Sequence, residues 1–175
     1  MSSHYQQGFY RPRNPQKYRG DPTQIFMRSS WERRFSTWAD MNPNVVEWGS
    51  ETVIIPYISP VDGRPHRYFV DFWIKIRNRQ GETKTYLIEI KPDAQTRPPV
   101  YSKRGRKPKP ERVLEENRTY AVNQAKWKYA KDYAKKRGWE FIVLTEKELA
   151  IKWNTIVFPC LYQITIIIAY LHNYG

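Results

Sequence analysis

A single cysteine, Cys160, stands in the 175 residues. One thiol can close no internal disulfide, and neither a cysteine-based zinc cluster nor a Cys-x-x-Cys redox pair can be built from it, so the chain suits a reducing compartment. Histidine is nearly as scarce: His4, His66 and His172 are scattered, which suggests no His-metal cluster and no His-based triad. The eight glycines form no phosphate-cradling loop, which disfavours nucleotide hydrolysis. Acidic residues are outnumbered, 17 against 30 Lys and Arg, for a formal net charge of +13. Such self-repulsion burdens a compact state unless an anionic partner relieves it, and nucleic acid is the first candidate. A basic membrane-surface protein would fit the charge too, but it needs an amphipathic helix with a continuous Lys/Arg face, and none is evident.

Long apolar runs are missing as well until Ile156 to Leu171. That stretch holds Pro159 and Gln163 and falls short of the ~20 apolar residues a bilayer-spanning helix needs, so a buried or appended strand is expected there. Met1 to Tyr10 has no apolar run, and no ordinary secretory signal is expected; the protein should stay in the cytoplasm.

What is present argues for one folded domain with extensions. The length allows one well-filled core but not two, and a 40% hydrophobic, 15% aromatic composition makes wholesale disorder unfavourable. Residues 1–24 read as a basic aromatic arm, 25–152 as the domain, and 153–175 as an apolar extension of different character. The arm's prolines break both helical and strand periodicity; its Arg, Lys and aromatic residues suit either a phosphate backbone or packing on the domain surface. Ser29-Ser30-Trp31-Glu32 opens a helix with Trp31, Phe35 and Trp38 on one face, stopped by Asn42-Pro43. Strands are expected over Val45–Trp48 and Thr52–Ile58, with a turn at Ser59 to Gly63.

Arg67 to Arg77 alternates as one strand, with Tyr68, Val70, Phe72, Ile74 and Ile76 on one face and Phe69, Asp71, Trp73 and Lys75 on the other. Lys84 to Lys91 returns with Leu87, Glu89 and Lys91 on a shared face. A basic, proline-rich loop over 92–112 carries Lys103, Arg104, Arg106, Lys107, Lys109 and Arg112. A long helix from about Val113 to Arg137 shows Tyr120, Gln124, Trp127 and Ala134 on one side and is capped by Gly138; a strand over Trp139–Leu144 and a Thr145-x-x-Glu148 capping box follow.

Asp71 on one strand and Glu89 and Lys91 on its antiparallel neighbour would bring two carboxylates and one amine together. Carboxylates on an apolar strand face are costly unless a positive group compensates, and a hard divalent cation, Mg²⁺, answers with oxygen ligands. Such a cation polarises a phosphoryl oxygen and acidifies a bound water, while the lysine orients that water or stabilises developing charge. Those are the requirements of phosphodiester hydrolysis. An ordinary cross-strand ion-pair cluster of Asp71, Glu89 and Lys91 is the alternative.

Asp71 and Glu89-Ile90-Lys91 resemble the signature of the PD-(D/E)xK nuclease superfamily, with Val70 where the family's proline stands. The resemblance implies an α/β restriction-endonuclease-like core, a central mixed sheet flanked by helices. It also implies Asp71 and Glu89 as metal ligands, Mg²⁺ as cofactor with Mn²⁺ able to substitute, Lys91 as catalytic lysine and Glu32 as an auxiliary catalytic carboxylate. Ser29 and Glu32 are equally a capping-box pair. Gln124 stands where related nucleases carry a polar residue touching the active site, or it hydrogen-bonds a core group.

A closer resemblance covers most of the chain to about Ile151. It is carried by Tyr5-Gln6-Gln7-Gly8-Phe9-Tyr10-Arg11-Pro12, Ser30-Trp31-Glu32, Val70-Asp71-Phe72 and Gly138-Trp139-Glu140-Phe141. These motifs resemble the head completion nucleases of contractile-tailed phages, and the domain is similar to endonuclease subunits of cut-and-paste transposition. The resemblance implies a nuclease, endo- or exonucleolytic, that trims packaged DNA at head-tail joining. It also implies phage head vertex or neck proteins as partners and the host cytoplasm as the place of assembly. The tail from Trp153 does not match. The basic loop either contacts phosphates without reading sequence or is a solvated charge run. A non-catalytic DNA-binding assembly factor is the second reading; an RNA-binding accessory protein, the third, leaves the acidic strand positions unexplained.

Overall fold

A computed structural model describes residues 7–101 and 108–150. The arm segment within them is part of the fold. Strand β1 (Gly8–Tyr10) pairs antiparallel with β2 (Ile25–Met27), which buries Tyr10, Ile25 and Met27 and leaves Phe9 edge-to-face on Phe26 at the surface. Asp40, fully buried, pins the segment between them by accepting the Arg13 and Asn14 backbone N–H groups at 2.7 and 3.0 Å. Lys17 Nζ donates to the carbonyls of Asp40 and Asn42, satisfying the last carbonyls of helix α1 (Ser30–Met41). That helix starts at Ser29 and ends ahead of Pro43, as its sequence predicts, and Phe35 and Ala39 face the core with Trp31 and Trp38 beside them.

From α1 the chain enters β3 (Val45–Ser50), β4 (Ile54–Ile58), β5 (Pro65–Phe69), β6 (Phe72–Arg77) and β7 (Thr83–Ile90). A clean alternation over Arg67–Arg77 predicts one strand, and the structure corrects this to two. β4 and β5 form their own antiparallel ladder, while β6 pairs with β3 and β7 in the central sheet. Both members of the hairpin bend together. At the corner Glu51 takes φ 54°, in the left-handed region, its N–H donates to the Asp71 carbonyl at 3.1 Å, and Val70 N–H donates to Val53 O at 3.0 Å. The bend swaps faces: Tyr68 and Val70 join Trp73 in one core, and Phe72 and Ile74 lie in the other.

A turn at Asp93–Gln95 leads towards helix α2 (Pro110–Lys135), Gly138 (φ 67°) ends that unit, and β8 (Glu140–Leu144) adds parallel to β7. The central sheet therefore runs β3-β6-β7-β8 and is mixed. Thr145 and Glu148 close the expected capping box on a short α3 (Glu146–Ala150). α1 packs on one face of the sheet with Phe72, Ile74, Tyr86, Ile88 and Leu144; α2 packs on the other with Trp73, Leu87 and the β4–β5 ladder. The buried stripe of α2 is Asn123, Trp127, Ala130 and Ala134, spaced 4, 3 and 4, and Gln124 is exposed. One step along a helix is a 100° rotation, so Gln124 is corrected from the apolar side to solvent. Among the described residues no helix is long and apolar enough to cross a membrane. The apolar run over 156–171 lies outside them.

Candidate active site

The antiparallel register pairs Phe72 with Ile88, so the residue before Phe72 meets the one after Ile88. Asp71 and Glu89 are thus neighbours across the end of the β6–β7 ladder, beside the corner. Asp71 Oδ2 accepts the Ile90 backbone N–H at 2.7 Å, which fixes its carboxylate against β7. Glu89 is 2% exposed and shares its face with Leu87, on the α2 side. Its two oxygens are separately held: Tyr68 Oη donates to Oε2 at 2.6 Å, and Lys91 Nζ lies 3.0 Å from Oε1. Lys91 follows β7 with its N–H on the Leu144 carbonyl at 2.9 Å, so β8 fixes where the amine emerges.

Burying a charge this deep is tolerable only with partners, and charge-assisted hydrogen bonds from Tyr68 and Lys91 supply them. Asp71 is less fortunate. Burial and the Glu89 charge push its carboxyl well above the usual range, against the Ile90 N–H and Lys91, which favour the anion. Burial acts to lower the Lys91 amine, but the Glu89, Asp71 and Glu32 carboxylates outweigh it and hold its proton more tightly than usual. The Tyr68 phenol is pushed far up by burial and then by Glu89, and stays a donor.

Glu32 caps α1 with both oxygens. Oε2 accepts the Arg28 N–H and Oε1 the Ser29 hydroxyl, each at 2.8 Å, and the Glu32 N–H returns to Ser29 Oγ at 3.1 Å. Its charge nevertheless reaches the site, since it acts on both Asp71 and Lys91. In the basic loop, Lys103, Arg104, Arg106 and Lys107 lie outside the described residues. Lys109 is exposed just ahead of α2, and Arg112 spends its guanidinium on Glu116 at 2.7 Å.

Two residues join the site without a signal in the strand pattern. Tyr68 is assigned to the opposite face if Arg67–Arg77 is read as unbroken, and only the corner brings it to Glu89. Lys126 projects from α2 with Nζ 5.5 Å from the Tyr68 ring centre and 5.9 Å from that of Tyr57. Its sequence signal was faint: a lysine next to the buried Trp127.

Among the described residues no group of three or more His, Cys, Asp and Glu assembles that could hold a metal ion. The donor set is the oxygen-only pair of Asp71 and Glu89. Two carboxylates suit Mg²⁺, which demands few protein ligands and completes its octahedron with water and phosphate oxygens. The misfit of Asp71 with its surroundings, two anions against one amine, is what a cation at this place would relieve.

A family model described as TnsA-like endonuclease N terminal matches residues 42–146, which hold Asp71, Glu89 and Lys91 but not Glu32. The chain is also 44% identical over 142 residues to the head completion nuclease of Enterobacteria phage T4, an alignment covering 81% of this chain and 92% of that protein.

Proposed function

Because the chain belongs to the TnsA-like endonuclease N-terminal family, we propose that it is a metal-dependent DNA nuclease acting in phage head completion. The observation that carries the proposal is the convergence of Asp71, Glu89 and Lys91 at the end of two paired strands in a chain of net charge +13. Asp71 and Glu89 would hold Mg²⁺, or Mn²⁺ in its place, which when bound supplies polarisation of a phosphoryl oxygen and acidification of water. Lys91, kept protonated by three carboxylates, orients the attacking water and stabilises negative charge developing on the phosphate. Tyr68 donates to Glu89 Oε2 and so aims that carboxylate. Glu32 is the auxiliary carboxylate, acting through its charge on Asp71 and Lys91 while its oxygens cap α1. The loop residues Lys103, Arg104, Arg106, Lys107, Lys109 and Arg112 would add phosphate contacts that do not read sequence, for which the net charge of +13 is the support. DNA trimming at head-tail joining, alongside head vertex or neck proteins, is the corresponding biological step.

The test is incubation of linear and circular DNA with the full chain, with Mg²⁺ or with chelator. Cleavage is expected only with the metal, and circular substrate distinguishes endonucleolytic from exonucleolytic action. Lys91→Ala should lower the rate by roughly 10²-fold or more. Ser29→Ala should lower stability by about 1 kcal/mol with little change in rate, whereas Glu32→Gln should lower the rate. Undiminished cleavage by Lys91→Ala would defeat the proposal.

A further inference from the structure

Lys126 is a half-buried cation with no ion pair or hydrogen bond among the described residues. It sits where an unpaired charge is least expected. Burial and the nearby Lys91 ammonium both act against its protonated form, and Glu89 and Asp71 act for it, so its head group shares the field of the carboxylate pair. The contacts that seat it are the faces of Tyr57 and Tyr68, at 5.9 and 5.5 Å. An aromatic seat attracts an ammonium through the ring quadrupole and spends none of its three N–H donors. Lys91, by contrast, has one donor committed to Glu89.

The seat is built from two separate elements. Tyr57 and Tyr68 come from the β4–β5 ladder, and Lys126 comes from α2. Tyr68 is also the residue that holds Glu89, so one side chain fixes both the carboxylate and the cation beside it. On the same side of α2, one turn earlier, the buried Asn123 carries an Nδ2 without a partner among the described residues. The buried Asn123 donor is unfavourable while unpaired, and the Lys126 donors, free of partners among the described residues, are open to an acceptor brought from outside. Next to a carboxylate pair, in a chain this basic, that acceptor is an anion.

We propose that Lys126 is a phosphate-binding residue of the site, contacting a non-bridging oxygen of the DNA backbone at or next to the scissile phosphodiester. This rests on the nuclease reading above and adds to it a second cation, from the opposite layer of the fold. Lys91 and Lys126 then approach the phosphate from the sheet and from α2, a clamp that favours the more negative transition state over the diester.

The experiment compares wild type with Lys126→Met, Lys126→Arg and the exposed-face control Lys128→Ala, using linear duplex DNA with Mg²⁺ for rates and with chelator for binding. Lys126→Met is expected to lower kcat/KM by about 100-fold. In chelator, where no reaction occurs, the slope of log affinity against log salt should fall by about one phosphate contact. Lys126→Arg should restore the slope and part of the rate, and Lys128→Ala should match wild type. If Lys126→Met melts early, Lys126→Gln replaces it in both readouts. Wild-type rate and slope in the neutral variant would overturn the proposal. An inactive wild type, or full activity in Asp71→Asn, would instead defeat the nuclease reading and this inference with it.

Discussion

Asp71 is the residue at which stability and activity pull apart. Its carboxyl is held well above the ordinary range by burial and by Glu89, so in the folded, metal-free chain ionisation is a net cost. Because the folded value is raised, the favourable contribution of Asp71 is fully present below the ordinary carboxylate range and is lost as pH rises through the folded value. Asp71→Asn keeps an oxygen to accept the Ile90 N–H and removes the charge. It should therefore raise the melting temperature of the metal-free chain at pH 7, by about 2–4 °C for each kcal/mol relieved, while abolishing cleavage. Mg²⁺ should raise the melting temperature of wild type and leave the variant unmoved, because only a ligand that binds the native state shifts it. Calorimetry with and without the metal checks both; a melting temperature lowered by Asp71→Asn at pH 7 would contradict the account.

At the scale of elements, the corner between the two ladders is what turns a pair of strands into a site. It places Tyr68 beside Glu89 and leaves Asp71 immediately ahead of β6, and it depends on close approach near Gly49. A Cβ there would stand 2.6 Å from Thr52 Oγ1, 2.8 Å from Thr52 Cγ2 and 3.1 Å from the Arg19 carbonyl. Rotating Thr52 exchanges one crowded atom for the other, so the corner itself must yield. Gly49→Ala should destabilise by about 1–3 kcal/mol, and adding Thr52→Ala should recover a large part of that, a coupling measurable by denaturant unfolding of the double-mutant cycle. Additive effects would show that the crowding at Thr52 is not what holds the corner.

For the whole molecule the governing quantity is charge. With 30 basic against 17 acidic residues, the chain should bind DNA with a steep salt dependence. Replacing Lys103, Arg104, Arg106 and Lys107 by Ser should reduce the log–log slope by roughly 3–4 if each contacts a phosphate, at ~0.9 per contact, without altering the melting temperature. Binding titrations across a salt series decide it, and an unchanged slope would mark the segment as a solvated charge run.

Local chemistry determined much of this protein from the sequence alone. Capping residues, turn residues and prolines act over a few positions, which is why α1 with its Ser29 cap, the turn after Ile58, Gly138 and the Thr145–Glu148 box were legible. Strand parity likewise put Glu89 and Lys91 on one side of β7, and the ion pair between them follows. Parity fails where a strand changes sheets. Nothing within Arg67–Arg77 announces that Val70 and Asp71 are a corner, because the cause lies across the ladder at Glu51 and Val53. The tertiary structure alone therefore brought Tyr68 to Glu89 and turned α2 so that Asn123 and Lys126, rather than Gln124, stand on the inner side. Helix rotation is set by what the opposite layer accommodates: one step of about 100° separates the solvent-facing Gln124 from the buried Asn123, and two steps separate it from Lys126.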